Sequence, residues 1–294
     1  MTEWWIKQYG ASRTSLRRFL TRQAANIWLP LVYRLTHIPQ GRPVIPAEVS
    51  LTSFPARIER LWLTVESLLR QTVRPERIVI HLARNQFPNG EQDLPQSLRR
   101  LLKHGVCIDW VAEDLRSYKK FFPAWPVKDG KVLVTVDDDI FYPTRLLERL
   151  WQKHQEHPHA VIAAYTHRMT YDKQGKLQPY RLWDFRTEQQ DPHLFFGSGG
   201  GTLFPAGTLH RDAVRQELAL QLCPQADDIW LNAMARLQGT PIIRANLSGT
   251  ILPVLNRQTD NLARTNLDEG NNDRQLKAIR IYYLTNRHQD PFRP

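Results

Sequence analysis

Short apolar strands alternating with amphipathic helices predict an α/β fold. We expect a mostly parallel sheet with helices on both faces, plus an N-terminal helical extension. Three observations carry this. From residue 49 onward the hydrophobic period switches repeatedly between two and about 3.6. Lys131-Val132-Leu133-Val134-Thr135-Val136 is apolar enough to lie buried within a sheet. The chain is 41% hydrophobic and 23% charged, a globular balance that excludes a disordered polypeptide.

The elements follow in order. Leu16, Phe19, Leu20, Ile27, Trp28, Leu31 and Leu35 recur at the spacing of one helix face, with Pro30 expected to kink or divide the helix. Arg18 and Arg22 fall on the other face, while Arg17 falls nearer the apolar stripe. Pro39, Pro43 and Pro46 around Gly41 read as a linker, since proline continues no helix and restricts its predecessor. Residues 49–52 read as a strand, 58–71 as a helix, and 77–82, 106–111 and 131–136 as further strands. A helix over 146–157 and a strand over 160–165 complete the alternation. Residues 1–45 thus form the extension. Residues 46–294 form the main domain, divided near residue 145 into two halves.

Charge and cysteine content narrow the function classes. Forty Lys and Arg stand against 29 Asp and Glu, giving +11. Residues 1–45 hold Lys7, Arg13, Arg17, Arg18, Arg22, Arg34 and Arg42 against Glu3 alone, so they carry +6 of that excess. Such an excess points to a polyanionic partner: nucleic acid, an anionic membrane, or substrate phosphates. No apolar run is long enough to span a bilayer, and Trp4, Trp5 and the charges after them do not resemble a signal segment. Two cysteines, Cys107 and Cys223, support neither a disulfide framework nor a cysteine-rich zinc site and suggest a reducing compartment.

In open α/β sheets, ligands bind beyond the carboxyl ends of the strands. Asp137-Asp138-Asp139 lies there, directly after the most apolar strand. Three adjacent carboxylates repel one another unless a cation or donors offset them. Were the strand to continue, Asp137 and Asp139 would share one side, a pair suited to Mg²⁺ or Mn²⁺. The bland reading is a solvated acidic turn. Asp227-Asp228 opens a helical stretch, where it could cap the helix or supply a general base. Gly197-Ser198-Gly199-Gly200-Gly201 matches neither a P-loop nor a dinucleotide fingerprint; it fits a hairpin, or a backbone approaching a bulky polar ligand. Lys120 in Ser117-Tyr118-Lys119-Lys120, and Arg57 after the first strand, are solvated edges or diphosphate contacts.

Together these motifs carry a family resemblance. Leu51-Thr52-Ser53-Phe54-Pro55-Ala56-Arg57-Ile58, then Ser67-Leu68-Leu69-Arg70-Gln71-Thr72-Val73-Arg74-Pro75-Glu76-Arg77-Ile78, resembles the opening of family-2-like bacterial glycosyltransferases of the GT-A fold. Asp137-Asp138-Asp139 takes the place of that family's Asp-x-Asp motif, and Cys223-Pro224-Gln225-Ala226-Asp227-Asp228-Ile229-Trp230 resembles its later acidic pair. The likeness covers roughly residues 48–245.

The resemblance implies a cytosol-facing enzyme of surface polysaccharide synthesis that uses a nucleotide sugar, commonly a UDP-sugar, with Mn²⁺ or Mg²⁺. It implies Asp139, helped by Asp137, for the metal, and Thr52, Ser53, Arg57, Lys120, Asp137 and Asp138 for the nucleotide sugar. Gly199, Gly200, Gly201 and Trp230 would line the donor and acceptor cleft. Asp228, with Asp227, would be catalytic, deprotonating the acceptor hydroxyl if the reaction inverts. His288 and Asn271-Asn272-Asp273 are alternative sources of a further metal ligand. The acceptor would be a saccharide or a lipid-linked sugar, and no nucleic acid partner is expected. Residues 1–45 suit an anionic membrane surface, a peripheral position on the cytoplasmic face of the inner membrane; the alternative is packing on the main domain. Two other classes stay open: a metal-dependent phosphoesterase or nucleotidyltransferase, and a basic nucleic-acid-binding protein.

Overall fold

The computed structural model describes the chain except residues 13, 128–129, 186, 188, 248–249 and 257–269. Arg13 therefore lies outside the described residues. Strands β1 (Val44–Thr52), β2 (Arg74–Ala83), β3 (Val106–Val111) and β4 (Val132–Val136) carry the first half of the chain. Strands β5 (Ile140–Phe141), β6 (Val161–Ala163), β7 (Thr166–Arg168), β8 (Leu194–Phe196), β9 (Gly200–Pro205), β10 (Ile242–Arg244) and β11 (Leu252–Pro253) follow. The principal helices are α1 (Thr2–Ala11), α2 (Ser15–Leu35), α3 (Pro55–Leu69), α4 (Gln96–Arg99), α5 (Leu146–Glu156), α6 (Gln216–Leu222), α7 (Asp227–Leu237) and α8 (Asn271–Arg287).

Seven strands form the central sheet in the order β10-β6-β9-β4-β1-β2-β3. The β1–β2, β1–β4, β2–β3 and β6–β10 pairs are parallel, and β9 runs antiparallel between β4 and β6. The mostly parallel α/β expectation holds. The chain order reverses between β1 and β4, which makes their carboxyl ends the switch point where such sheets bind ligands. Because β9 is antiparallel, its first residues lie at that same edge, Gly200 opposite Val136.

Alternation along each strand divides the apolar side chains between two cores. Ala47, Val49 and Leu51 of β1 join Val132, Val134 and Val136 of β4 in one core, under α2, α3 and α5. Leu133, Val161, Ala163 and Phe204 face the other, with α6, α7 and α8.

The N-terminal part departs from the sequence reading in three ways. Strand β1 begins at Val44 and runs through Pro46, inside the expected linker. Pro46 lies where the register to β2 slips, between Ile45 and Glu48, the kind of irregularity that tolerates a residue without an N–H. Helix α2 passes through Pro30 undivided, and the Asn26 carbonyl, which loses its partner there, faces the Arg60 guanidinium at 3.5 Å. The expected apolar face of α2 points outward. The buried face carries Ala25, Asn26, Leu29 and Tyr33 instead.

Candidate functional site

The site forms where three chain segments reach the edge of the switch point. Strand β4 ends at Val136, and the chain bends at Asp138 and Asp139. The three aspartates therefore do not simply alternate: Asp138 and Asp139 share Arg57, and Asp137 pairs with Lys120 while its charge still acts on Asp139. Arg57 Nη1, from the first turns of α3, lies 2.9 Å from Asp138 Oδ1 and 2.9 Å from Asp139 Oδ2. Ser53 Oγ donates to Asp138 Oδ2 at 2.6 Å, and Thr64 Oγ1 donates to the Asp138 carbonyl at 2.9 Å. Asp138 is buried.

Asp137 turns toward Lys120. Its amide donates to Tyr142 Oη at 2.7 Å and to the Gly199 carbonyl at 3.0 Å, while Tyr142 Oη donates to that same carbonyl. Lys120 ends a short 3-10 turn after β3 and is fixed by Ser50 Oγ, which donates to the Lys120 carbonyl at 2.6 Å. The Lys120 ammonium is buried, 2.7 Å from Asp137 Oδ1 and 3.2 Å from Asp227 Oδ2. It therefore joins the two acidic motifs.

Asp227 and Asp228 lie in the first turn of α7, but neither is its N-cap, which is Ala226. Their carboxylates turn to the glycine-rich segment: Ser198 Oγ donates to Asp227 Oδ2 at 2.6 Å, and the Ser198 amide donates to Asp228 Oδ1 at 2.7 Å. Asn232, one turn along α7, donates to the Asp228 and Phe196 carbonyls and accepts from the Phe196 amide. That clamp fixes α7 against β8.

Burial and charge act differently on these groups. Burial would lower the Lys120 ammonium, but Asp137, Asp227 and Asp228 outweigh it and raise it. Burial would raise Asp227, yet Lys120 and the hydroxyls of Ser198 and Ser117 hold it below the usual carboxylate range. At Asp228 the pull of Lys120 is outweighed. Burial and the charge of Asp227 push it up to about 7. Burial and the adjacent Asp138 likewise push Asp139 up to about 7, against the pull of Arg57.

The glycines answer to the protein's own side chains. A Cβ on Gly199 would stand 1.8 Å from Asp137 Oδ2, and one on Gly200 would stand 2.4 Å from Tyr165 Cβ. Gly201 has φ +96° and closes on Leu146. Their small size makes room for Asp137 and Tyr165.

Ser53, Arg57, Lys120, Asp137, Asp138, Asp139, Asp227, Asp228 and Gly199 thus come together. Thr52 lies at the same edge, with its hydroxyl donating to the His81 carbonyl at 2.8 Å. Trp230 does not line the cleft. It is fully buried in the core with its indole N–H donating to the Ala213 carbonyl at 3.3 Å, because it lies on the inward face of α7. His288 is exposed at the end of α8, and Asp273 accepts from the Tyr180 amide at 2.8 Å. Ser198, Tyr142, Ser117 and Asn232 are contributors that the motif reading passed over.

No family model matches the chain, and no curated protein matches it. Among solved structures it is similar to the mannosyltransferase PcManGT from Pyrobaculum calidifontis, solved in complex with GDP-Man and Mn²⁺. The identity is 15% over 94% of this chain and 77% of that one, with a TM-score of 0.49.

The donor set bears on whether a metal fits. Among the described residues, Asp137, Asp138, Asp139, Asp227 and Asp228 are paired with two cations, Arg57 and Lys120. The excess charge sits on oxygen donors, which suits a hard divalent cation. Among the described residues, no three His, Cys, Asp or Glu side chains are grouped to hold an ion unaided. Mg²⁺-type sites commonly use one or two carboxylates and take the remaining ligands from substrate phosphates and water.

Proposed function

We propose that this chain is a metal-dependent GT-A glycosyltransferase of the family-2-like type. It would transfer a sugar from a nucleoside diphosphate sugar to a hydroxyl of a saccharide or lipid-linked acceptor in surface polysaccharide synthesis. One observation carries the reading: the Asp137–Asp139 cluster at the switch point is joined through Lys120 to a second acidic pair, one of whose carboxyls is pushed up to about 7.

Asp139 and Asp137 would hold Mn²⁺ or Mg²⁺ together with the donor diphosphate. The cation would stabilise the negative charge that develops on the departing diphosphate. Ser53, Arg57 and Asp138 form a braced wall that keeps Asp139 in place and positions the nucleotide. Lys120 adds a fixed positive charge, raised well clear of neutral pH by its neighbours. Gly199 lets the cleft wall close on Asp137, while Gly200 and Gly201 pack against Tyr165 and Leu146. Asp228 would take the proton of the attacking hydroxyl in an inverting displacement, a role that contributes ~10²–10⁴-fold when geometry is right. Its Oδ1 is oriented by the Ser198 amide.

The electrostatics favour a donor that arrives with a cation. A diphosphate alone would meet a cleft in which, among the described residues, carboxylates outnumber cations, and like charges at these distances repel strongly in a partly desolvated site. The test is a panel of UDP-, GDP- and other nucleotide sugars incubated with the purified chain, with and without Mn²⁺ or Mg²⁺. Metal-dependent hydrolysis of one donor to free sugar and nucleoside diphosphate supports the reading. Cleavage of simple phosphate esters, or synthesis of the nucleotide sugar from sugar phosphate and nucleotide, would replace it.

A further inference from the structure

The two N-terminal helices have an inner and an outer face of different chemistry. Inside, Ile6, Ala25, Leu29 and Tyr33 join the core beneath the sheet. Outside, Leu16, Leu20, Ile27, Trp28, Leu31 and Leu35 form one stripe along α2, from 46% exposed at Leu31 to 83% at Leu35. Phe19 borders the stripe, and Trp4 of α1 is 56% exposed. Scattered exposed apolar residues are ordinary, but a stripe several turns long on a single helix face marks an interaction surface.

Charge says which partner covers it. Helices α1 and α2 carry Lys7, Arg17, Arg18, Arg22 and Arg34 against Glu3 alone. Arg17, Arg18 and Arg34 are exposed on the helix that bears the stripe. A second copy docked face to face would bring these arginines against their equivalents, so the surface is poorly suited to self-association. No described helix is long and apolar enough to cross a membrane. An apolar stripe with indoles, bordered by arginines, instead has the composition of a helix lying in the lipid headgroup boundary.

We propose that the outer face of α2, with Trp4 of α1, docks on an anionic lipid bilayer. The same helix is tied to the candidate site from its inner side. Asn26 Nδ2 donates to the Pro253 carbonyl at 3.0 Å, and Asn26 Oδ1 accepts from the Leu255 amide at 2.8 Å. Between them, the Val254 amide donates to the Asp139 carbonyl at 2.7 Å. The docking helix therefore sits a short hydrogen-bonded path from the acidic cluster, so the docked enzyme would hold its cleft close to the lipid surface. The docking rests on the exposed stripe and its charges and stands whatever the reaction is.

The test is co-sedimentation of the full chain with vesicles of phosphatidylcholine alone and with roughly one part in three phosphatidylglycerol. We expect binding to the anionic vesicles, weakened at least about tenfold in the variant Leu20→Ser, Trp28→Ser, Leu31→Ser. These side chains face outward, so circular dichroism and the thermal midpoint should stay at wild-type values. A second variant, Arg17→Gln with Arg18→Gln, should lose the preference for anionic vesicles while keeping the stripe. Failure of the wild-type chain to bind, or equal binding by the Ser variant, overturns the proposal. So does a concentration-dependent dimer in sedimentation velocity that the Ser variant abolishes, which would make this face a contact between copies.

Discussion

Replacing Lys120 with Met tests the joint between the two acidic motifs. The Met side chain keeps most of the apolar stem and removes the charge. In the wild-type chain the ammonium lies 2.7 Å from Asp137 and 3.2 Å from Asp227. The Asp137 carboxylate is 43% exposed, so solvent screens that contact and its loss should cost little. Asp227 is different, with only 7% of its side chain exposed. At an effective dielectric of about 20, opposite charges 3.2 Å apart attract by about 5 kcal/mol before desolvation is counted. Removing one partner of a buried pair costs about 3–5 kcal/mol in practice, because the remaining charge is left without compensation.

That loss is a large part of a stability of about 5–15 kcal/mol, so the variant should fold with its thermal midpoint lowered by about 6–10 °C near pH 8. The deficit should depend on pH. Wild-type Asp227 is held low, so it adds stability above the unfolded carboxylate pKa and loses it as acid protonates the folded form. Without Lys120 its pKa is raised, so its stabilising contribution is present in acid and is lost as pH rises. The gap between the two proteins should therefore widen from pH 5 to pH 8, measured by scanning calorimetry or urea unfolding. A midpoint change under about 2 °C at pH 8, or a gap that does not move with pH, would refute the view that Lys120 compensates Asp227.

Four further outcomes follow from the same contacts. Gly199→Ala would place a Cβ 1.8 Å from Asp137 Oδ2, so it should lower kcat/KM for the preferred donor by about 10²-fold while circular dichroism stays unchanged. The proposed general-base role of Asp228, with its carboxyl pushed up to about 7, predicts that turnover rises about tenfold per pH unit below 7 and levels off above it. Asp228→Asn should lose ~10²–10⁴ of the rate together with that pH limb, with donor affinity by calorimetry retained. Asn26→Ala removes the bonds to Pro253 and Leu255 and should cost about 1–3 kcal/mol in urea unfolding, with turnover reduced because Val254 then holds the Asp139 backbone less firmly.

Much of the fold was legible because its strands are short apolar runs separated by helices of clear period. The run Val132–Val136 is buried at every position, and its composition says so. What escaped was set by tertiary contact. Strand β9 hides behind glycines that read as a turn, and its antiparallel insertion between β4 and β6 depends on pairing that no local pattern encodes. Helix α2 reads as amphipathic, but its packing face is the less apolar one, built on Ala25, Asn26, Leu29 and Tyr33. Periodicity finds a stripe without telling which side meets the core, and here the specific bonds of Asn26 to residues 253 and 255 orient the helix.

The candidate site was legible in its acidic residues and obscure in its supports. Adjacent carboxylates are conspicuous in any sequence because their repulsion must be answered somewhere. The answers lie far away along the chain: Arg57 is 81 residues before Asp138, and Ser198 is 29 residues before Asp227. Each supporting group is an ordinary residue until the fold delivers it. The same reasoning explains the misplacement of Trp230. An aromatic two residues after an acidic pair looks like a cleft wall, but Asp228 and Trp230 stand on a helix, where residues two apart point in divergent directions. Once Asp228 turns to the Ser198 amide, Trp230 is carried into the core. The glycines reverse the usual inference in a related way. Missing side chains suggested space for a ligand, whereas at Gly199 and Gly200 the space is taken by Asp137 and Tyr165. The backbone there is shaped first to let the acidic cluster fold back on itself, and a ligand would then meet the carboxylates that this folding presents.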